Sequence, residues 1–168
     1  MTGQIAFVGL GSNLDGPREQ VLRALQALSN LPDTRVLARS SLYRSAPVGY
    51  LEQPDFINAV AKLETTLSPP GLLSALLKLE NECGRVREFL NAPRTLDLDV
   101  LLYDDMRHHE QGLTIPHPQM HLRAFVLLPL LEVAPDCFIP GIGAAAAALH
   151  QCADQQLERV QDGDSDVV

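Results

Sequence analysis

A chain of 168 residues, 46% hydrophobic and 20% charged, is long enough for one compact domain and too apolar to be disordered throughout. Its formal net charge of −8 argues against a general nucleic-acid binder. No apolar run reaches the roughly 18 residues that span a bilayer, and the first residues carry no export-type segment, so no membrane partner is expected and a cytoplasmic location is.

The run QIAFVGL (4–10) predicts a buried strand, followed by the loop GSNLDGP. Pro17 suits a first helical turn, and Val21, Leu22, Leu25 and Leu28 recur at helical spacing, so a helix is expected over 17–29. RVLARSSLY (35–43) predicts a second strand, and a turn-rich loop follows with Pro47, Gly49 and Pro54. FINAVAKLETTL (56–67) predicts a third. Ser68 then caps a helix that opens on Pro69 and Pro70, shows a stripe of Leu72, Leu73, Leu76, Leu77 and Leu79, and is expected to end at Gly84.

TLDLDVLLY (95–103) is the clearest strand signal in the chain. Beyond it lie LTIPHP, an expected helix over 124–131 and an alanine-rich expected helix over 143–152. The last dozen residues are acidic and carry no hydrophobic pattern, which predicts fraying, with residues 1–160 as one domain and 161–168 as a flexible acidic tail. The order strand, helix, strand, strand, helix, strand predicts an α+β, ferredoxin-like βαββαβ core, mainly antiparallel, with extra C-terminal elements. Cys83, Cys137 and Cys152 lack the spacing of a zinc site or a disulfide framework and read as reduced, mostly buried thiols.

The chemistry concentrates in PRTLDLDVLLY. Side chains alternate along a strand, so Asp97 and Asp99 share one face, about 6.6 Å apart at a rise of ~3.3 Å per residue, while Leu96, Leu98 and Val100 point into the core. Aspartate suits strands poorly, and two like charges on one face repel. Magnesium would compensate, because it takes one or two carboxylates and completes its shell with water and substrate phosphates. Arg85, Arg87 and Arg94 lie just upstream, and eleven of the 13 basic residues are arginine, whose planar fork fits phosphate oxygens. The plainer alternatives are a solvated strand face carrying two acids, and arginines paired with Glu80, Glu82 or Glu88 at the surface. A P-loop, a dinucleotide fingerprint, a nucleophile elbow and an H-E-x-x-H site are all missing. On its own, His117 reads as a loop histidine, and Phe56 and Phe125 read as core residues.

Taken together, GSNL at 11–14, YRSAPVG at 43–49, QPDFIN at 53–58, GRVR at 84–87, APRTLDLD at 92–99, LTIPHPQM at 113–120 and RAFVL at 123–127 resemble the 6-hydroxymethyl-7,8-dihydropterin pyrophosphokinases of folate biosynthesis, from about Ile5 to Pro135. The resemblance implies a ferredoxin-like fold and transfer of the diphosphate of ATP to the pterin hydroxymethyl group, with AMP leaving. It implies that Asp97 and Asp99 hold two Mg2+ ions on the ATP and that Arg94 contacts the phosphates. Arg85 and Arg87 would belong to a loop that closes over the substrates. By the same matching, Glu80, Val100, Thr114, His117 and Arg123 lie around the nucleotide. Asn58, with Ser45, Ala46 and Val48, would read the pterin edge, and Phe56 and Phe125 would stack on its ring.

The chain departs from some family members at Phe56, Leu77, Asn91, Ala92 and Gly112, which bears on loop closure and ATP affinity rather than on the reaction. A monofunctional monomer is expected. Two other classes remain open at this point: a metal-dependent nucleotidyl transferase, and a non-catalytic ferredoxin-like binding module.

Overall fold

In the computed structural model, which describes residues 3–13, 16–45, 55–83 and 96–160, the first apolar run forms β1 (Gln4–Ser12) and Pro17 opens α1 (Pro17–Leu28) behind Gly16, a left-handed N-cap at φ 71°. The chain continues through β2 (Thr34–Arg39), β3 (Tyr43–Ser45), β4 (Phe56–Thr65), α2 (Pro69–Glu82) and β5 (Asp97–Tyr103). A hairpin of β6 (His108–Glu110) and β7 (Leu113–Ile115) follows, then a 3-10 turn at Met120–Leu122 and α3 (Ala124–Val133). The last described elements are β8 (Phe138–Ile139), β9 (Gly143–Ala144), α4 (Ala145–His150) and β10 (Leu157–Arg159).

The main sheet runs β10-β3-β4-β1-β5, with β2 also on β4, and every pairing in it is antiparallel. With β1 between β4 and β5, and the β2/β3 segment beyond β4, this is the ferredoxin-like order the element sequence predicts. The sheet separates two cores. Alternate residues of β1, β4 and β5, including Val8, Leu10, Ala59, Leu63, Leu98 and Val100, pack against Val21, Leu25 and Leu28 of α1 and Leu72, Leu76 and Leu79 of α2. On the opposite face Phe7, Val60 and Leu101 meet Val126, Leu127 and Leu130 of α3 and Ala145 and Ala148 of α4. Each fully buried leucine in these layers contributes about 1.5–3 kcal/mol. Ser68 caps α2 as the sequence predicts, its hydroxyl accepting from the Gly71 N–H at 3.1 Å.

Four expectations change. The strand expected over 35–43 is two strands, because at the break Ser40 donates its N–H to the Val60 carbonyl while its hydroxyl accepts from the Val60 N–H. The helix expected over 143–152 shortens to Ala145–His150, since Gly143 (φ 124°) and Ala144 pair with β8 instead. Residues 157–159 are not frayed: they form β10, which pairs with β3. Leu77, placed in the apolar stripe, is 42% exposed on the outer side of α2. The expected helix end at Gly84 and the tail 161–168 lie outside the described residues. Among the described residues no helix is long and apolar enough to cross a membrane. All three cysteines are free, and burial pushes their thiols up, so they stay protonated.

Candidate active site

The strand parity that sends Leu98 and Val100 into the α1/α2 core sends Asp97 and Asp99 to the other face, where Asp97 is half-buried and Asp99 exposed. Their partners on β1 are glycines: Gly11 lies opposite Asp97 and Gly9 opposite Asp99. No β1 side chain therefore covers the carboxylates, and both open into a cleft of about 740 Å3 between the sheet and α3, a size typical of small-molecule sites.

The cleft gathers residues far apart in sequence. β3 supplies Ser45, β4 supplies Phe56 and Asn58, the loop after β7 supplies His117, and the start of α3 supplies Arg123 and Phe125. Asn58 is buried and donates through Nδ2 to the Ser45 hydroxyl at 2.8 Å, which fixes the amide orientation. Gly11 belongs to this arrangement as well, since a Cβ there would sit 3.0 Å from Asn58 Oδ1. Phe56 and Phe125 are half-buried, one on the sheet wall and one on the helix wall, so flat apolar faces border the cleft on both sides. Arg123 lies with its guanidinium carbon 5.5 Å from the centre of the Phe125 ring.

His117 is tied to β5 by its N–H, which donates to the Leu101 carbonyl at 2.9 Å. Its Nδ1 accepts from the Gln119 N–H at 3.1 Å, so in the neutral ring the proton resides on Nε2. Burial lowers the His117 pKa below the usual imidazole value; the Asp99 charge opposes that shift and the Arg123 charge adds to it. At neutral pH the ring is thus an uncharged Nε2–H donor at the cleft wall.

Asp97 and Asp99 offer hard oxygen donors only, and no group of three or more metal-binding side chains occurs among the described residues. That donor set fits magnesium, which takes few protein carboxylates and fills its octahedron with water and substrate phosphate.

Of the residues expected around a nucleotide, Glu80 and Val100 lie elsewhere. Both are buried beneath the sheet on the α2 side, where Glu80 Oε2 accepts the Leu98 N–H at 2.8 Å and so holds the peptide between the two aspartates. Thr114 sits on β7 with its hydroxyl 3.0 Å from His109 Nδ1, beside a smaller pocket of about 390 Å3 that shares His117 with the main cleft. Ala46, Val48, Arg85, Arg87 and Arg94 lie outside the described residues. The sequence reading missed Gly9 and Gly11 as cleft residues, although their parity on β1, opposite to Val8 and Leu10, carries that signal. It also missed Gln119, Leu122, Gln155, Gln156 and Leu157, all of which border the cleft.

A family model described as 7,8-dihydro-6-hydroxymethylpterin-pyrophosphokinase (HPPK) matches residues 7–135. A Haemophilus influenzae protein named 2-amino-4-hydroxy-6-hydroxymethyldihydropteridine pyrophosphokinase is 47% identical over 152 residues, 90% of this chain and 95% of its own length. One of the same name from Pseudomonas aeruginosa is 46% identical over 157 residues, 94% of this chain and 97% of its own. The fold is similar to that of wild-type Plasmodium falciparum HPPK-DHPS, with a TM-score of 0.69 at 14% identity over 89% of this chain; the match spans 44% of the solved chain, so this protein covers less than half of it.

Proposed function

The chain belongs to the 7,8-dihydro-6-hydroxymethylpterin-pyrophosphokinase family, and on that premise we propose that the cleft beneath α3 is where it transfers the diphosphate of ATP to 6-hydroxymethyl-7,8-dihydropterin in folate biosynthesis. The observation that carries this assignment is the convergence, in one cleft, of a carboxylate pair facing glycines with a buried amide flanked by two phenylalanines.

In this reading Asp97 and Asp99 would hold two magnesium ions on the ATP, a group that would supply positive charge against the polyphosphate and the leaving oxygen. The pterin hydroxyl oxygen attacks the β-phosphorus, the bond from the α,β-bridging oxygen to that phosphorus breaks, AMP departs with that oxygen, and the hydroxyl proton is released to water. Asn58 and Ser45 bind the polar edge of the pterin, because an amide both donates and accepts, while Phe56 and Phe125 stack on the ring faces. Arg123 and the Nε2–H of His117 lie fixed in place beside the phosphates, where they stabilise developing charge without reorganising.

The sequence pattern alone assigns Arg85, Arg87 and Arg94 to the polyphosphate, Ala46 and Val48 to the pterin edge, and Thr114 to the surroundings of the nucleotide, while Glu80 and Val100 support the aspartate strand from beneath. The catalytic unit is residues 1–160, acting as a cytoplasmic monomer. The test is a product assay with protein, ATP, Mg2+ and the dihydropterin. Equimolar AMP and pterin diphosphate are expected, with turnover lost on chelation and restored by Mg2+. ADP as the nucleotide product, or pyrophosphate release with AMP joined to the pterin, would overturn the assignment.

A further inference from the structure

Arg123 occupies an unusual backbone position. It is the N-cap of α3, with extended φ −125° and ψ 110°, and no side chain of its own caps the helix. Its carbonyl accepts from the Val126 and Leu127 N–H groups at 3.0 Å, while its own N–H makes only a long 3.4 Å bond to the Met120 carbonyl. A helix start in this state leaves first-turn N–H groups in search of acceptors.

The missing cap comes from 31 residues downstream. Gln155 Oε1 accepts the Ala124 N–H at 2.9 Å, and Gln155 Nε2 donates to the Leu122 carbonyl at 2.8 Å. One carboxamide thereby grips the peptide groups on both sides of Arg123. The grip is itself anchored, because the Gln155 N–H donates to the Cys152 carbonyl at 2.9 Å, and buried Cys152 packs with Met120 in the core under α3. With its backbone held and Phe125 beneath its guanidinium, Arg123 has few ways to swing out of the cleft.

We propose that Gln155 is a positioning residue for Arg123, holding the backbone from which that guanidinium reaches the polyphosphate. The inference rests on the assignment of Arg123 to the nucleotide. It predicts that the clamp acts on ATP and not on the pterin, although Gln155 borders the same cleft.

The test is a double-mutant cycle on the full chain. Gln155→Met keeps length and volume but can neither accept from Ala124 nor donate to Leu122. It should raise KM for ATP about tenfold, as expected for two lost hydrogen bonds of modest net worth, and leave KM for the pterin within about twofold. Gln155→Glu retains the acceptor for Ala124 and should recover part of the loss, with thermal melts reporting whether either variant is misfolded. In an Arg123→Ala background, Gln155→Met should add nothing, because the group it positions is gone. Effects that multiply in the double variant, or an equal rise in both KM values, would overturn the positioning role. An Arg123→Ala protein with unchanged KM for ATP would instead overturn the assignment of Arg123 to the nucleotide, and the inference with it.

Discussion

The two faces of the central sheet are built from the same strands yet differ in kind. Toward α1 and α2, β1, β4 and β5 present Val8, Leu10, Ala59, Leu63, Leu98 and Val100, a mainly apolar layer that also buries the Glu80 carboxylate. Toward α3, the alternate positions of those strands present Gly9, Gly11, Asn58, Asp97 and Asp99, and the space beside them is a cleft. On the α3 side that parity serves chemistry only where the cleft opens, since Phe7, Val60 and Leu101 at the same parity are core; neighbours one step apart at the cleft, such as Leu98 and Asp99, should fail in different ways when altered.

The sharpest form of that contrast is Asp97→Ala or Asp99→Ala. Turnover should fall on the order of 10³-fold, while the melting temperature holds or rises, since a poor strand former has been removed. Near wild-type turnover in either variant would break the distinction at its centre. On the opposite face, Leu76→Ala should cost about 2–5 kcal/mol in urea denaturation, with turnover per folded molecule unchanged; a specific loss of turnover there would show that the faces are not independent.

Gly11→Ala probes the boundary. Its Cβ would press on Asn58 Oδ1, 3.0 Å away, and disturb the amide held against Ser45. KM for the pterin should rise about tenfold, as when a well-oriented polar contact is lost, and KM for ATP much less.

The smallest effect lies beside β3, where Glu132 accepts from the Tyr43 hydroxyl and from the N–H and hydroxyl of Ser41. Burial, the bond to Glu132 and the carboxylate charge together push Tyr43 up to about 12. Because a raised tyrosine pKa favours the neutral ring in the folded state, its contribution is complete below the ordinary value of 10 and is lost as pH rises through about 12. Glu132→Gln should bring the ultraviolet titration of that phenol only part of the way back, since burial, the largest cause, remains. For Glu132 itself, burial raises the pKa, but the bonds from Ser41 and Tyr43, together with the Arg159 charge, outweigh it and the net direction is down. Its contribution is therefore present above pH 4.5 and lost as the pH falls through the lowered value, an acid limb the glutamine variant should lack.

Much of the cleft is legible in the sequence where a period carries it. The alternation in TLDLDVLLY orients both aspartates, and the Ser-Pro-Pro start of α2 predicts its cap. Glycine parity on β1 was equally available. What leaves no period stays hidden: the Ser40 hydroxyl entering the ladder opposite Val60, β10 closing on β3, and Gln155 reaching back 31 residues to α3. Each joins segments far apart in the chain, two through a side chain on a distant backbone and one through strand pairing, which nothing local encodes. The pterin pocket is an intermediate case, because β4 is buried on both faces and shows no clean alternation, so Asn58 and Phe56 stand out only through the family pattern.

The pairing of Gly9 with Asp99 and Gly11 with Asp97 places four residues ill-suited to strands in alternate rungs of the β1–β5 ladder, on either side of Leu10 and Leu98. The site is thus a local debt carried by the layer behind it. Heat resistance in this protein can be tuned through the concealed apolar layer, by natural drift or by design, while the visible layer stays constant. Two homologues could differ widely in melting temperature and present the same cleft to their substrates.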